Sequence, residues 1–555
     1  MNPVSSATVD FLIPEVLVAV TAIWIFVVGA FYGGKSGWSW VAILGLLLAG
    51  GHLLFGNLPA AGEYGPVTFD KFGHVLRTTA VIVGILFVLM TNQGGKRGAS
   101  SELVGAMLLV IAGVMLVSCA NELVILFVGL ELISIPTYLL LYLGRGASNS
   151  SAAGDNAELG SQEATSKYFF LSVLSSAILL YGFSFLYGLT GELRLSEIAE
   201  SLAASELGGP LPVLALLLIV AGLGFKIAAV PFHFYAPDVY QGTTNLNAGL
   251  LSVVPKIAGV VVLVRLVAAV LPPDLAQFGW QLCLVLSIIT MTLGNVAALW
   301  QNNIRRLLAY SSIAHAGYML IGLCVFLAAR SAQGETSPVE FVDGLSSMLL
   351  YLAVYVVATL GTFAALVHLS RVDESVDRVE QLTGLGKTRP LIAVALAVFM
   401  FSLAGIPPLA GFWGKMGLFF SALGVNGSTD LTIAGIPMRT ALIALAVVGA
   451  LNAAIAAAYY LRIVATMYFR SAAGSSSALS PASSLSTPGA AFVVGVCMLL
   501  AVVLGCYPAS LEHLTRGAAT KAVEEPLEQS TAATDATADL AEAVTRAETV
   551  ATESR

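Results

Sequence analysis

AGLGFKIAAVPFHFYAPDVYQGTTNLNAGLLSVVPKIAGVVVLVRLV, residues 221–267, is apolar enough to lie in a membrane and yet holds two lysines, Lys226 and Lys256. A charge at a helix centre costs about 2.5–3.5 kcal/mol on insertion scales, so two of them in one stretch mark an ion pathway. Between them Pro231, Pro237 and Gly242 interrupt the helical hydrogen-bond ladder. Broken helices survive in a bilayer only where protein or a wet cavity satisfies the freed backbone groups. Snorkelling of both lysines to the interface is the plain alternative, and Lys256, many residues inside its helix, argues against it.

The rest of the chain keeps this character. Of 555 residues 57% are hydrophobic and 11% charged, with a mean hydropathy of +0.87. That composition excludes an ordinary soluble protein and implies an all-α polytopic membrane protein in a lipid bilayer. Cys119, Cys283, Cys324, Cys497 and Cys506 lie scattered in apolar runs without CxxC spacing. Neither a disulfide framework nor a zinc or iron–sulfur site is indicated, and no GxGxxG dinucleotide motif is present, so the chain is expected to hold no metal, cofactor or redox centre of its own. The net charge is −7, and the nine acids and four bases from Leu511 onward supply −5 of it. Nucleic acid is excluded as a partner.

The N-terminus has no basic region before its apolar run and carries Asp10 and Glu15 instead, so it reads as a retained first helix. Runs of about 20 apolar residues, the length that spans a bilayer, number fourteen along the chain. They divide into three helices over 1–102, five over 103–271, five over 278–469 and one over 488–507, followed by a polar tail over 508–555 expected to be disordered. Residues 145–162 and 471–489 read as flexible polar insertions. Connections after odd-numbered helices hold eleven Lys and Arg residues and those after even-numbered helices five, Arg77 among them. The bias puts the first set in the cytoplasm and both termini on the other side.

FSLAGIPPLAGFWGKMGLFF, residues 401–420, answers the first break five helices later with Pro407, Pro408, Gly411 and Gly414, and carries Lys415. Five is odd, so the units 103–271 and 278–469 are expected to be inverted repeats with discontinuous helices seven and twelve, a transporter layout with its ion site at the breaks. A proline kink with a packing role is the structural alternative. Glu131 lies mid-helix in NELVILFVGLELISIPTYLLLYLGR, residues 121–145, and needs a cation; Lys167, in the next helix, is its nearest candidate in sequence. One acid and four bases on separate helices make a relay.

The stretches GLELISIPTYLLLYL, EATSKYFFLSVLSSAILLYGFSFLYGLTG, GFKIAAVPFHFYAPDVYQG, VPKIAG, QNNIRRLLAYSSIAHAGYML and SLAGIPPLAGFWGK together resemble the subunit N family of bacterial respiratory complex I, the proton-pumping NADH:quinone oxidoreductase. The mitochondrial counterpart is NADH dehydrogenase subunit 2, and subunits L and M and the Mrp-type cation/proton antiporter subunits share the fourteen-helix, antiporter-like core. The likeness runs from about residue 10 to 507. It implies that Glu131, Lys167, Lys226, Lys256 and Lys415 match the family's charged positions on helices five, six, seven, eight and twelve. A lysine at the last position fits subunits N and L better than M. His315 matches a histidine of helix ten, and His233, beside the first break, is expected to hold a water chain or cap freed carbonyls. After PDVYQ the family connection usually reads GAPTPV, whereas this chain has GTTNLNAG.

The resemblance further implies a multi-pass protein of the bacterial inner membrane, beside the small subunit K and the antiporter-like subunit M, with NADH, FMN, iron–sulfur clusters and quinone in partner subunits. Glu15 and the outer helices are expected to contact those neighbours. A carboxylate brought to within ~7 Å of a lysine at an effective dielectric of ~20 favours the charged form by about 2.4 kcal/mol. Moving one proton against ~150 mV costs about 3.5 kcal/mol, so electrostatic switching has the right scale. The expected route loads Lys226 from the cytoplasm, passes Lys256 and water near His315, and releases at Lys415. An Mrp-type antiporter subunit without redox coupling, and a structural membrane scaffold, are the competing readings.

Overall fold

The computed structural model describes residues 6–32, 37–56, 62–91, 100–143, 154–204, 209–268, 270–332, 338–370, 376–425, 431–470 and 487–520. A bilayer offers the backbone no water, so each apolar run closes its own hydrogen bonds as a helix. Among the described residues twelve helices, from Ile13–Phe31 to Pro488–Cys506, are long and apolar enough to cross a membrane. Leu211–Ile227 and Pro390–Ala404 are apolar but shorter. Each is followed by an irregular segment and a second helix, Tyr235–Gly242 and Ala410–Gly424 respectively. Two short hairpins, over residues 62–69 and 432–437, complete the described secondary structure.

Both short helices stop in the same way. Ala228 and Gly405 turn into the left-handed region at φ 58° and 86°. The next residues, Ala229 and Ile406, donate back to Gly224 and Phe401 in the last turn, at 2.7 and 3.0 Å. These bonds satisfy carbonyls that a helix end leaves open. Each break also contains one cis X–Pro bond, Val230–Pro231 and Pro407–Pro408.

Helices Asn245–Val262, with its π-helical extension Leu263–Ala268, and Ile304–Ser331 run through the centre and are buried along their apolar windows, whereas Ile13–Phe31 and Trp38–Phe55 bury only 28% and 33% of theirs. The connection GTTNLN has a local logic of its own: Thr244 accepts from the Asn247 amide and caps the helix that carries Lys256. Loop contacts sort the helix ends into two groups. Val67 bridges Ala120 and Glu122 bridges Arg194 at one end, and Asn303 bridges Arg378 at the other.

Four sequence expectations change. Glu15 turns inward: Arg77 donates to both its carboxylate oxygens at 2.7 and 2.6 Å and to the Phe11 carbonyl at 2.9 Å. Arg77, counted above among loop cations, is thus a buried member of Lys71–Thr91. A helix begins at Gly154, inside the polar stretch 145–162, because this segment extends the apolar helix that ends at Thr190. Residues 508–520 are helical where a disordered tail was expected; Ala518 and Ala519 are buried, and Arg516 pairs with Asp343 at 2.5 Å. Residues 145–153, 471–486 and 521–555 lie outside the described residues.

Candidate functional site

Glu131 sits on Leu123–Leu143 opposite Ser176 of Gly154–Thr190, and the serine hydroxyl donates to its carboxylate. One helical turn along, Ser134 accepts from Lys226 Nζ at 2.7 Å. Lys226 lies in the last turn of the first broken helix and is only 5% exposed. The freed backbone there finds partners: Tyr235 Oη donates to the Phe225 carbonyl at 2.9 Å, and Thr290 accepts from the Val230 amide at 3.1 Å. His233 lies within hydrogen-bonding reach of the Pro231 backbone inside the same break. It is half-buried, and its Nδ1 has no hydrogen-bond partner among the described residues.

Lys256, on the fully buried helix, donates to both the carbonyl and the hydroxyl of Ser312 and lies 3.4 Å from Tyr355 Oη. Tyr355 in turn is 2.9 Å from the Ser312 hydroxyl and donates to the Ser252 carbonyl at 3.0 Å. Its ring also receives the lysine, with Nζ 4.8 Å from the centroid. One turn beyond Ser312, His315 meets Tyr351 Oη at Nδ1 (2.5 Å) and Tyr460 Oη at Nε2 (3.0 Å). Tyr460 also bonds the Ser311 hydroxyl.

Lys415, in the second half of the other broken helix, reaches back across the break. Its Nζ donates to the carbonyls of Leu403 and Ala404 at 3.0 and 2.8 Å, where Pro390–Ala404 ends. A cation at a helix C-terminus is stabilised by about 0.3–1 kcal/mol, and by up to about 2 when partly buried. Nζ also lies 5.0 Å from the Tyr318 ring centroid. Gly405 leaves the room for this return, because a Cβ there would lie 2.8 Å from Lys415 Cδ.

Lys167 departs from its expected place. It bonds Glu163 and Asp238, both at 2.6 Å, with its side chain 40% exposed, and Asp238 also accepts from Arg306 at 2.6 Å. The expected Glu131–Lys167 pair is absent because helix register sets it out of reach. Ser176 is the residue opposite Glu131, and Lys167 lies nine residues before it, about 13.5 Å along the axis. Four of the seven candidates, Lys226, Lys256, His315 and Lys415, are therefore buried polar stations, with Glu131 beside the first, while Lys167 and His233 stand apart. None of the three buried ammonium groups makes an ion pair among the described residues; each rests on hydroxyl or carbonyl oxygens. Such a set can hold and pass protons between separate positions. Among the described residues no cluster of His, Cys, Asp or Glu could hold a metal ion.

The comparisons agree on a family. Residues 120–440 match the family described as NADH:quinone oxidoreductase/Mrp antiporter, transmembrane. NADH-quinone oxidoreductase subunit N of Rhodospirillum rubrum is 36% identical over 84% of this chain and 89% of its own. The chain belongs to the subunit N family. Its relative of that name in Desulfitobacterium hafniense is 35% identical over 94% of this chain and all of its own length. A chain of respiratory complex I from Thermus thermophilus superposes with a TM-score of 0.68 at 30% identity, covering 91% of this chain and all of that one. A chain of the Mrp complex from Dietzia sp. superposes at 0.71 with 21% identity, a likeness of fold.

The groups that seat the charges and His315 are ones that sequence reasoning passed over: Ser134, Ser176, Ser312, Tyr351, Tyr355 and Tyr460. One signal was available. Tyr351 and Tyr355 are four residues apart, which puts two hydroxyls on one helix face in an otherwise apolar run.

Proposed function

We propose that this chain is the proton-translocating, antiporter-like membrane-arm subunit N of an NADH:quinone oxidoreductase. Protons move through Lys226, Lys256, His315 and Lys415, with Glu131 setting the charge state of the first. The observation that carries the reading is the seating of three lysines, each at most 5% exposed, on uncharged oxygens at or between two helix breaks. A buried ammonium bound by a carboxylate is locked into its charge, whereas one bound by hydroxyl and carbonyl oxygens can lose its proton and keep its neighbours. Lys167, Asp238 and Arg306 form the half-exposed mouth on the cytoplasmic side.

Counting each broken helix as one span gives fourteen, in two inverted five-helix units over 103–271 and 278–469, with both termini periplasmic. The chain lies in the bacterial inner membrane beside the small subunit K and the antiporter-like subunit M. Electron transfer from NADH through FMN and iron–sulfur clusters to quinone belongs to the partner subunits, and it drives the relay from outside this chain. Support comes from subunit N relatives at 33–38% identity along most of the chain.

The test is proton pumping and quinone reduction in the assembled complex with Lys226→Ala and Lys256→Ala. The expected outcome is loss of the protons this subunit moves in both variants. Unchanged pumping in both sinks the relay and favours a scaffold role, and sodium/proton exchange by the lone chain favours the Mrp-type antiporter reading.

A further inference from the structure

We propose that Tyr351 and Tyr460 are proton-transfer residues, the two hydroxyls through which hydrogen enters and leaves His315. The inference rests on the relay reading and adds the groups without which His315 cannot take part in it. Tyr351 Oη lies 2.5 Å from Nδ1 and Tyr460 Oη 3.0 Å from Nε2. Both ring nitrogens are thereby occupied. Neither bonds a lysine among the described residues, so a hydrogen that the imidazole exchanges passes through a tyrosine.

The two hydroxyls cannot play the same part at the same time. An imidazole with one hydrogen donates at one nitrogen and accepts at the other, so one tyrosine donates to the ring while the other accepts from it. Reversing the ring reverses both. Tyr460 has a second partner ready for that reversal, the Ser311 hydroxyl, and Ser311 precedes Ser312, on which Lys256 is seated. Tyr351 faces the other way. Its ring lies 5.9 Å from that of Tyr318, which lies under Lys415 Nζ. It also packs on the turn bearing Lys415, where a Cβ on Gly414 would lie 3.0 Å from Tyr351 Cδ2.

The step balances without a redox partner. Ser311 Oγ gives its hydrogen to Tyr460 Oη, and Tyr460 gives its own to Nε2. Nδ1 releases its hydrogen to Tyr351 Oη, and Tyr351 releases its own toward the Lys415 amine. Tyr460, His315 and Tyr351 end with the hydrogens they began with, Ser311 is refilled from the Lys256 side, and one proton has moved. In this arrangement the chain passes a proton without a tyrosinate or a bare imidazole anion forming.

Tyr351→Phe and Tyr460→Phe each remove one oxygen and keep the ring. In the assembled complex in sealed vesicles, protons released per NADH are read as a function of pH and in deuterium oxide, beside Lys256→Ala and His315→Leu. Each phenylalanine variant is expected to lower the proton count per NADH as far as Lys256→Ala does, with proton release through the relay slowed at least about tenfold. Adding Tyr460→Phe to His315→Leu is expected to cost nothing more. Counting per NADH removes the effect of poor assembly, because complex that is not assembled contributes neither quantity. If Lys256→Ala stops pumping while both phenylalanine variants pump with unaltered pH and isotope dependence, the tyrosines only hold the ring and the proposal is overturned. If Lys256→Ala itself leaves pumping intact, the relay reading falls first.

Discussion

The two helix breaks use one backbone turn for opposite seatings of a lysine. At the first, the lysine precedes the turn: Lys226 belongs to the helix that ends, and it sends its charge sideways to Ser134 of a neighbouring helix. At the second, the lysine follows the turn, and Lys415 folds back onto the carbonyls of the helix that has just stopped. One charge is held by a removable side chain and the other by backbone. The residue at the turn differs accordingly. Alanine is accepted at 228 with φ 58°, whereas at 405, with φ 86°, a lysine passes over the turn and only glycine leaves it room.

Gly405→Ala breaks this comparison hardest. The left-handed backbone alone costs an L-residue about 1–3 kcal/mol. The new Cβ, 2.8 Å from Lys415 Cδ, also forces that side chain to shift, which is expected to loosen its bonds to both carbonyls. Lower thermal stability of the solubilised complex and loss of this subunit's pumping are expected together. The reciprocal change, Ala228→Gly, is expected to gain up to about 1 kcal/mol, since it relieves a left-handed residue at some cost in unfolded-state entropy. Equal responses at the two turns in thermal unfolding would show that the return of Lys415 is not what demands glycine.

Ser134→Ala comes next. It strips Lys226 of its acceptor, and leaving a buried donor unsatisfied costs about 1–3 kcal/mol, or more where the donor is charged. No single side-chain deletion does this to Lys415. Tyr318→Leu removes only its ring contact, about 0.5–2 kcal/mol. Thermal unfolding of the two variants, with pumping assayed alongside, is expected to rank Ser134→Ala as the more damaging in both.

The seating just described explains how much of this protein was legible in its sequence. Lys226, Lys256, Lys415 and Glu131 stand out because a charge in an apolar run is costly, and the breaks stand out because Pro and Gly interrupt the helical pattern. What holds those charges was not legible. Serine and tyrosine are ordinary in membrane helices, so Ser134 and Ser312 carry no mark until tertiary packing aims them, and Tyr355 carries only the face it shares with Tyr351. Register between antiparallel helices is likewise absent from local pattern, which is why Glu131 was matched with Lys167 when Ser176 is its partner. Arg77 misled for a related reason: an arginine six residues into a helix reads as interfacial until Glu15, 62 residues away, is found beside it.

The mispaired lysine supplies the smallest effect and the finest test of the first break. If Lys167 served Glu131, the two would couple strongly in a double-mutant cycle, as neighbours in one network do at about 0.5–3 kcal/mol. With the carboxylate bound by Ser176 and the ammonium bound by Glu163 and Asp238, the Glu131→Gln and Lys167→Met effects on unfolding are expected to add within about 0.5 kcal/mol. Lys167 and Asp238 should couple, though modestly, because half-exposed pairs are worth about 0–1 kcal/mol. A large Glu131–Lys167 term would mean that the lysine swings inward by some 13 Å of helix length during turnover. The mouth would then be a moving part of the first break, and the contrast with the backbone-held Lys415 would become one of mobility as well as seating.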